Sequence, residues 1–288
     1  MGIGNQYELD DEFKAAARLH QSKYRDEILQ RDFADYGNRL TDPDGQALLN
    51  YYEKLNCRLA LRNRYPKYSK TRDADMLRSE HIPFNLFAPF DVCRQQAVEI
   101  IKKAFAIDCT LVDLVAIEYA PQPKETYLND ATSFDAYLQV TTPNQKKCGI
   151  GIEVKYTEKD YRIGKKEAAN VNDHQSLYWK TARRSDCFID PDNDIFGSDP
   201  LRQIWRNHLL GLSMIEHGDV DEFYSITLFP NGNNHFHEVL PRYISLLKEK
   251  AKPYVLGCTF EKFISIIGGT PEFDEWKAWL ERRYLVKQ

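Results

Sequence analysis

The sequence is marked first by what it lacks. No apolar run approaches the roughly 18 residues that a membrane-spanning helix needs, so no span is expected. The first residues, Met1 to Glu8, carry neither the basic nor the apolar region of a signal peptide. The 6 cysteines stand at positions 57, 93, 109, 148, 187 and 258 and form no C-x-x-C pair, which argues against a disulfide frame or a zinc site. They read as reduced, mostly buried thiols, and the expected compartment is the cytoplasm. No P-loop, G-x-G-x-x-G or G-x-S-x-G motif is present, which removes the commonest nucleotide-binding and serine-hydrolase readings. His235 and His237 alternate, yet no further ligands accompany them for a metal site. Net positive charge is also missing. At −4 overall, affinity for a polyanion has to come from local charge.

What is present is an ordinary globular composition, 42% hydrophobic and 28% charged over 288 residues, rich in tyrosine (17) and phenylalanine (15). The spacing predicts a helix over 8–31, a break at Asp42-Pro43-Asp44-Gly45, a second helix over 46–61, and a helix over 92–106 capped by Asp91. Strands are expected in the later part of 110–119, then over 133–140, 148–156 and 222–229. Residues 157–200 read as a loop-rich insertion with a helix near 173–182. Helices are expected over 200–216, 236–250, 260–267 and 272–285. The simplest division is an N-terminal helical extension, 1–78, before an α/β core domain, 79–288.

The stretch Ser133 to Glu158 carries the chemistry. Phe134, Ala136, Leu138 and Val140 alternate with Asp135, Tyr137 and Gln139. Ile150, Ile152 and Val154 alternate with Gly149, Gly151, Glu153 and Lys155. If the two strands are neighbours, Asp135, Glu153 and Lys155 share one sheet face, and the two glycines leave room for a close approach to the backbone. The E-x-K pattern occurs three times: Glu12-Phe13-Lys14, Glu153-Val154-Lys155 and Glu275-Trp276-Lys277. Only the middle copy falls in a strand, where residues two apart face the same way; in a helix they do not. Hard oxygen donors hold Mg²⁺, and a lysine beside the metal can orient an attacking water, so the triplet suits phosphodiester hydrolysis. The plainer reading is a surface cross-strand ion pair, worth little.

The order helix, strand, strand with Asp135, strand with Glu153-Val154-Lys155, helix, strand resembles the PD-(D/E)XK nuclease superfamily. Phe84-Asn85-Leu86-Phe87, Phe134-Asp135-Ala136, Gly151 to Tyr156 and Gln203 to Leu210 resemble more closely a prokaryotic, restriction-endonuclease-like branch of it. The likeness covers roughly 79–230. It implies an α/β restriction-endonuclease-like core, a mixed central sheet flanked by helices. It also implies a Mg²⁺- or Mn²⁺-dependent nuclease, most simply a DNA endonuclease. Asp135 and Glu153 would be metal ligands with the Val154 carbonyl, and Lys155 would be catalytic. Phe134 stands where the family often has proline. Glu80, Glu99 and Glu118 compete for a further acid; Glu80 is preferred, and a surface role is expected for Glu118. Gln203, with Arg206 and Asn207 on one side of its helix, would reach the site or form a plain polar face.

Between Lys54 and Arg72 lie seven basic residues and no acidic one, with Tyr65 and Tyr68 among them. This segment is either a solvated surface or a nucleic-acid contact through Arg62, Arg64, Lys67 and Lys70, with Arg206 added from the later helix. DNA is the expected partner, and a homodimer would suit double-strand cutting by a one-site enzyme. Two readings compete with the nuclease: an inactive nucleic-acid-binding module of the same fold, and a metal-dependent hydrolase of small phosphate esters.

Overall fold

The computed structural model describes residues 2–159 and 161–286. Five strands form one mixed sheet in sequence order: β1 (Leu111–Tyr119), β2 (Phe134–Thr141), β3 (Lys147–Val154), β4 (Glu222–Phe229) and β5 (Val255–Thr259). β1, β2 and β3 pair antiparallel; β3, β4 and β5 pair parallel. Hairpins join the first three strands, while helical crossovers bring the chain back to start β4 and β5 at the same end. Helices cover both faces, as a sheet with parallel strands requires. The result is an α/β restriction-endonuclease-like fold.

In chain order the helices are α1 (Glu12–Lys23), α2 (Asp42–Gln46), α3 (Cys57–Arg64), α4 (Ile82–Val92), α5 (Arg94–Phe105), α6 (Lys165–Asn172), α7 (Leu177–Ser185), α8 (Arg202–Glu216), α9 (Asn234–Ser245), α10 (Phe260–Ile266) and α11 (Pro271–Tyr284). Several differ from the spacing-based expectation. Asp42-Pro43-Asp44-Gly45 opens α2 instead of breaking structure, because Thr41 caps the Asp44 N–H and Pro43 is tolerated in a first turn. The helix expected over 46–61 starts only at Cys57; Leu48, Leu55 and Asn56 adopt positive φ, which interrupts it. The break expected before Val92 falls at Cys93, and Asp91 pairs with Arg94 instead of capping. Phe84-Asn85-Leu86-Phe87 lies inside the fully buried face of α4. The insertion 157–200 holds two helices: α7 forms because Tyr178, Trp179 and Ala182 make an apolar face that packs on Trp205, and α6 packs Val171 against the same cluster. β5 escaped the sequence reading: five residues with a glycine at the centre carry little periodicity.

The sheet separates two cores. Ala136, Leu138, Val140, Ile150, Ile152 and Val154 face the first, with α4, α5, α10 and α11. Tyr137, Phe223 and the apolar side of α8 face the second. Phe134 does not share the face of Ala136 as alternation predicted. Its ring lies over Gly151, beside Tyr137 (5.9 Å) and Phe223 (5.4 Å). Gly149 and Gly151 therefore make room for these rings, and the space over them is not open to a ligand. N-terminal residues contribute to the first core through Ala17, Tyr52, Cys57 and Leu77. Gln21 donates to the Tyr156 hydroxyl at 2.7 Å, directly after Lys155. All six cysteines are free, four of them buried. Among the described residues no helix is long and apolar enough to cross a membrane.

Gly211 on α8 shows how tightly the second core is filled: a Cβ there would lie 2.0 Å from the Phe223 ring. Gly211→Ala is expected to destabilise the fold by about 1–3 kcal/mol, read as a lower midpoint in thermal melts, and Phe223→Leu in the same chain should recover part of the loss.

Candidate active site

The sheet register creates the site. Ala136 pairs with Ile152, and the same register sets Asp135 opposite Glu153. On the other side Ile117 pairs with Ala136 and Tyr119 with Phe134, which sets Glu118 opposite Asp135. Three carboxylates thus stand in a row across β1, β2 and β3. Like charges directly opposite on neighbouring strands repel, so such a row needs compensation.

Each carboxylate has a different answer. Asp135 Oδ2 accepts the Val154 N–H at 2.7 Å, which ties the aspartate to the end of β3. Glu153 is enclosed by donors. The Lys155 ammonium lies 2.7 Å from Oε1, the Gln203 side-chain amide also donates to Oε1, and the Asn207 amide donates to Oε2 at 2.5 Å. Gln203 and Asn207 are one turn apart on α8, so a single helix face grips both oxygens. Glu118 receives a 3.4 Å hydrogen bond from Ser133 Oγ, and its backbone has φ +56, a left-handed conformation uncommon for a residue with a side chain. Its carbonyl accepts a hydrogen bond from Arg64 at 3.2 Å.

The electrostatics record the crowding. Burial, then Glu153 and Glu118, push the Asp135 carboxyl well above the usual carboxylate range, against the pull of Lys155 and the Val154 N–H. Burial and Glu153 raise Glu118 as well. Burial draws the Lys155 ammonium down, but Glu153 and Asp135 outweigh it and hold the group charged. Three carboxylates against one ammonium leave an excess of negative charge, which suits a bound divalent cation. Among the described residues no three His, Cys, Asp or Glu side chains converge as a complete cage. The groups that could hold a divalent cation here are the carboxylates of Asp135 and Glu153, with main-chain and water oxygens. A narrow cavity over Glu153 and Lys155 is bounded by Lys159, Tyr161, Asp199 and Gln203.

Other residues singled out in the sequence fall elsewhere. Glu80 pairs with Arg78 at 2.8 Å, and its charge reaches Glu118 at the margin of the row. His81, beside it, is fully buried against Tyr51 and Tyr284, and burial followed by Arg283 keeps it neutral. Arg206 turns away from Glu153 to an ion pair with Glu167 at 2.7 Å, because Glu167 gathers Arg202 and Arg206 in one buried cluster. Of the basic run, Lys54 pairs with Glu275, Lys70 with Asp35 and Arg72 with Asp73. Arg62, Arg64 and Lys67 are exposed, and among the described residues none of the three has a carboxylate partner. Tyr65 and Tyr68 are not free to stack on bases. Arg72 covers the Tyr65 ring at 4.4 Å, Phe84 packs beside it, and the Tyr68 hydroxyl bonds Asp42 at 2.9 Å.

Two residues gained importance from the structure. Asn207, grouped in the sequence with Gln203 and Arg206 on one side of their helix, holds Glu153 Oε2. Glu118, expected at the surface, joins the carboxylate row. The cue for Glu118 was its phase at the end of a strand beside Asp135's, but the β1–β2 register across the loop 120–133 was needed to use it.

A fold of this topology, with an Asp on the second strand and an E-x-K on the third facing one another, defines a metal-dependent nuclease class. The family model of the PD-(D/E)XK nuclease superfamily matches residues 8–286, and the chain belongs to that superfamily. The comparisons find no match among curated proteins and none among solved structures.

The raised Asp135 carboxyl gives a signed expectation. In the metal-free protein it binds its proton more tightly folded than unfolded, so its contribution to stability is present at low pH and is lost as pH rises through the folded pKa. Asp135→Asn, which keeps an acceptor for the Val154 N–H, should therefore melt higher than the native chain in EDTA at pH 8. Added Mg²⁺ should raise the native melting temperature and leave that of Asp135→Asn nearly unchanged.

Proposed function

We propose that the protein is a divalent-metal-dependent nuclease that hydrolyses phosphodiester bonds in DNA. The observation that carries this reading is the placement of Asp135, Glu153 and Lys155 together at the meeting ends of β2 and β3, in a chain of the PD-(D/E)XK superfamily. Asp135, Glu153 and the Val154 carbonyl would hold Mg²⁺ or Mn²⁺. The ion, when bound, supplies charge neutralisation at the phosphate and an acidified water.

The remaining work falls to the chain's own groups. Lys155, kept charged by its two carboxylate neighbours, orients the attacking water and steadies the charge that develops on the phosphate oxygens. Gln203 and Asn207 fix both oxygens of Glu153, so this ligand does not have to be ordered on binding. Glu118 adds negative charge beside Asp135 and strengthens the preference for a cation there. Arg62, Arg64 and Lys67 are an exposed basic set on and after α3, and Arg64 touches the Glu118 carbonyl at the end of β1, so a phosphate held at Arg64 lies beside the row. DNA is favoured over a small phosphate ester because this edge extends beyond the carboxylates along α3 and the loop after it.

Plasmid and single-stranded DNA incubated with Mg²⁺ or Mn²⁺ test the reading. The native protein should cut, and Lys155→Ala and Asp135→Ala should each lose at least about a hundredfold in rate. Equal cutting by the native chain and both variants would remove the site assignment. Separately, Arg62→Ala and Lys67→Ala should weaken DNA binding similarly on all sequences, each lowering the slope of log affinity against log salt by about one unit at most.

A further inference from the structure

The carboxylate row sits at one end of the sheet. Glu118 is next to last in β1, Asp135 second in β2 and Glu153 next to last in β3. Two helices flank that end from opposite faces. α3 packs Leu61 with Phe84 and Ile117, on the side of the first core. α6 packs Val171 against the second core. The basic set of α3 therefore covers one flank only. The other flank carries a second set, Arg162, Lys165 and Lys166, just before α6 and in its first turn.

All three cations are exposed, and among the described residues none has a carboxylate partner. Glu167, the next residue, does not supply one. It is 6% exposed and turned inward, where Arg202 at 3.0 Å and Arg206 at 2.7 Å take its two oxygens. Asp173 stands past the far end of α6, about 12 Å along the helix axis. Over 160–166 the sequence has three cations against one acid, Asp160. In the facing loop Lys124 is offset by Glu125 beside it, so the excess of positive charge rests with the α6 segment. Lys166 is held by a neutral partner: its ammonium donates to Asn129 Oδ1 at 3.0 Å, in the loop that leads through Ser133 to Asp135. The segment also begins at the reaction centre. Tyr161 borders the cavity over Glu153 and Lys155, and its ring lies 5.1 Å from the guanidinium groups of both Arg202 and Arg206.

We propose that Lys165 and Lys166, with Arg162, bind backbone phosphates on the flank of the row opposite Arg62, Arg64 and Lys67. One nucleic-acid strand then crosses the carboxylates with phosphates held on both sides of the cleaved bond. In a chain of net charge −4, two unpaired basic sets that flank the same row mark the path of a polyanion. A small phosphate ester has no second phosphate for the far flank, whereas each strand of a duplex presents one about every 3.4 Å of helix axis. The proposal rests on the nuclease reading for the identity of the polyanion, and it deepens that reading: the substrate is gripped from both faces of the sheet.

The test uses the full-length protein in EDTA, where the metal-dependent step is stopped, and fluorescence anisotropy of a labelled DNA duplex at several salt concentrations. The double variant Lys165→Ala/Lys166→Ala should bind about tenfold more weakly at low salt and lower the slope of log affinity against log salt by about two units at most. Lys165→Glu, which leaves the hydrogen bond from Lys166 to Asn129 in place, should act in the same direction with the native thermal midpoint retained. Lys147→Ala, at the opposite end of β3, should leave the slope unchanged. Combined with Arg62→Ala, the losses of slope should add, as they do for separate phosphates. With Mg²⁺ the Lys165 variants should raise the KM for DNA far more than they lower kcat. An unchanged slope in both Lys165 variants would overturn the proposal, and so would an equal loss in Lys147→Ala. Metal-dependent cutting with an unchanged slope would leave the nuclease reading standing and remove the second surface. A lowered slope in a chain that never cuts would do the reverse.

Discussion

The repulsion among Glu118, Asp135 and Glu153 is the constraint on which the rest of this structure turns. Three neighbouring strands bring their acids into one row, and the sheet cannot relieve the row without breaking register. The protein contains the charge instead. One ammonium, Lys155, is buried against Glu153; two amides from α8 take up the Glu153 oxygens; the Val154 N–H takes Asp135. Burial, with Glu153 and Glu118 beside it, outweighs these donors and keeps the Asp135 carboxyl above its ordinary range. A site that is under-neutralised by its own side chains is poised for a cation.

Much of the architecture serves that row. The two glycines of β3 admit Phe134, Tyr137 and Phe223 against the sheet, so α8 can approach closely enough for Gln203 and Asn207 to reach Glu153. The segment between Lys155 and α8 adds α6 and α7, and the Tyr178 and Trp179 rings of α7 bury Trp205 and fix the helix from behind. The Glu167 cluster draws Arg202 and Arg206 away from the carboxylates, which keeps two guanidinium groups from satisfying the charge that a metal would answer. On the far side of the sheet, Tyr156 anchors the chain after Lys155 to Gln21 of α1.

The N-terminal residues are structurally tied to the same point. Gln21 bridges Tyr156 and the Arg283 carbonyl, and Glu158 accepts the N–H groups of Ser79, Tyr156 and Thr157. The chain leaving the E-x-K strand is therefore clasped from both its N- and C-terminal sides.

The sequence by itself picked out the residues that meet at the centre. Period-two spacing separated Glu153-Val154-Lys155 from its two helical look-alikes and matched it to Asp135, because side-chain direction in a strand is a local property. It also determined four of the five strands and the helix carrying Gln203. What needed the tertiary structure was non-local. Glu118 enters the row only through the pairing of β1 with β2. Arg206 is lost from the site because Glu167 lies nearer, and Tyr65 and Tyr68 are lost because Arg72, Phe84 and Asp42 occupy them. Strand phase is written in consecutive residues, whereas the partner of a charge or a ring is chosen by distances that only the folded chain defines.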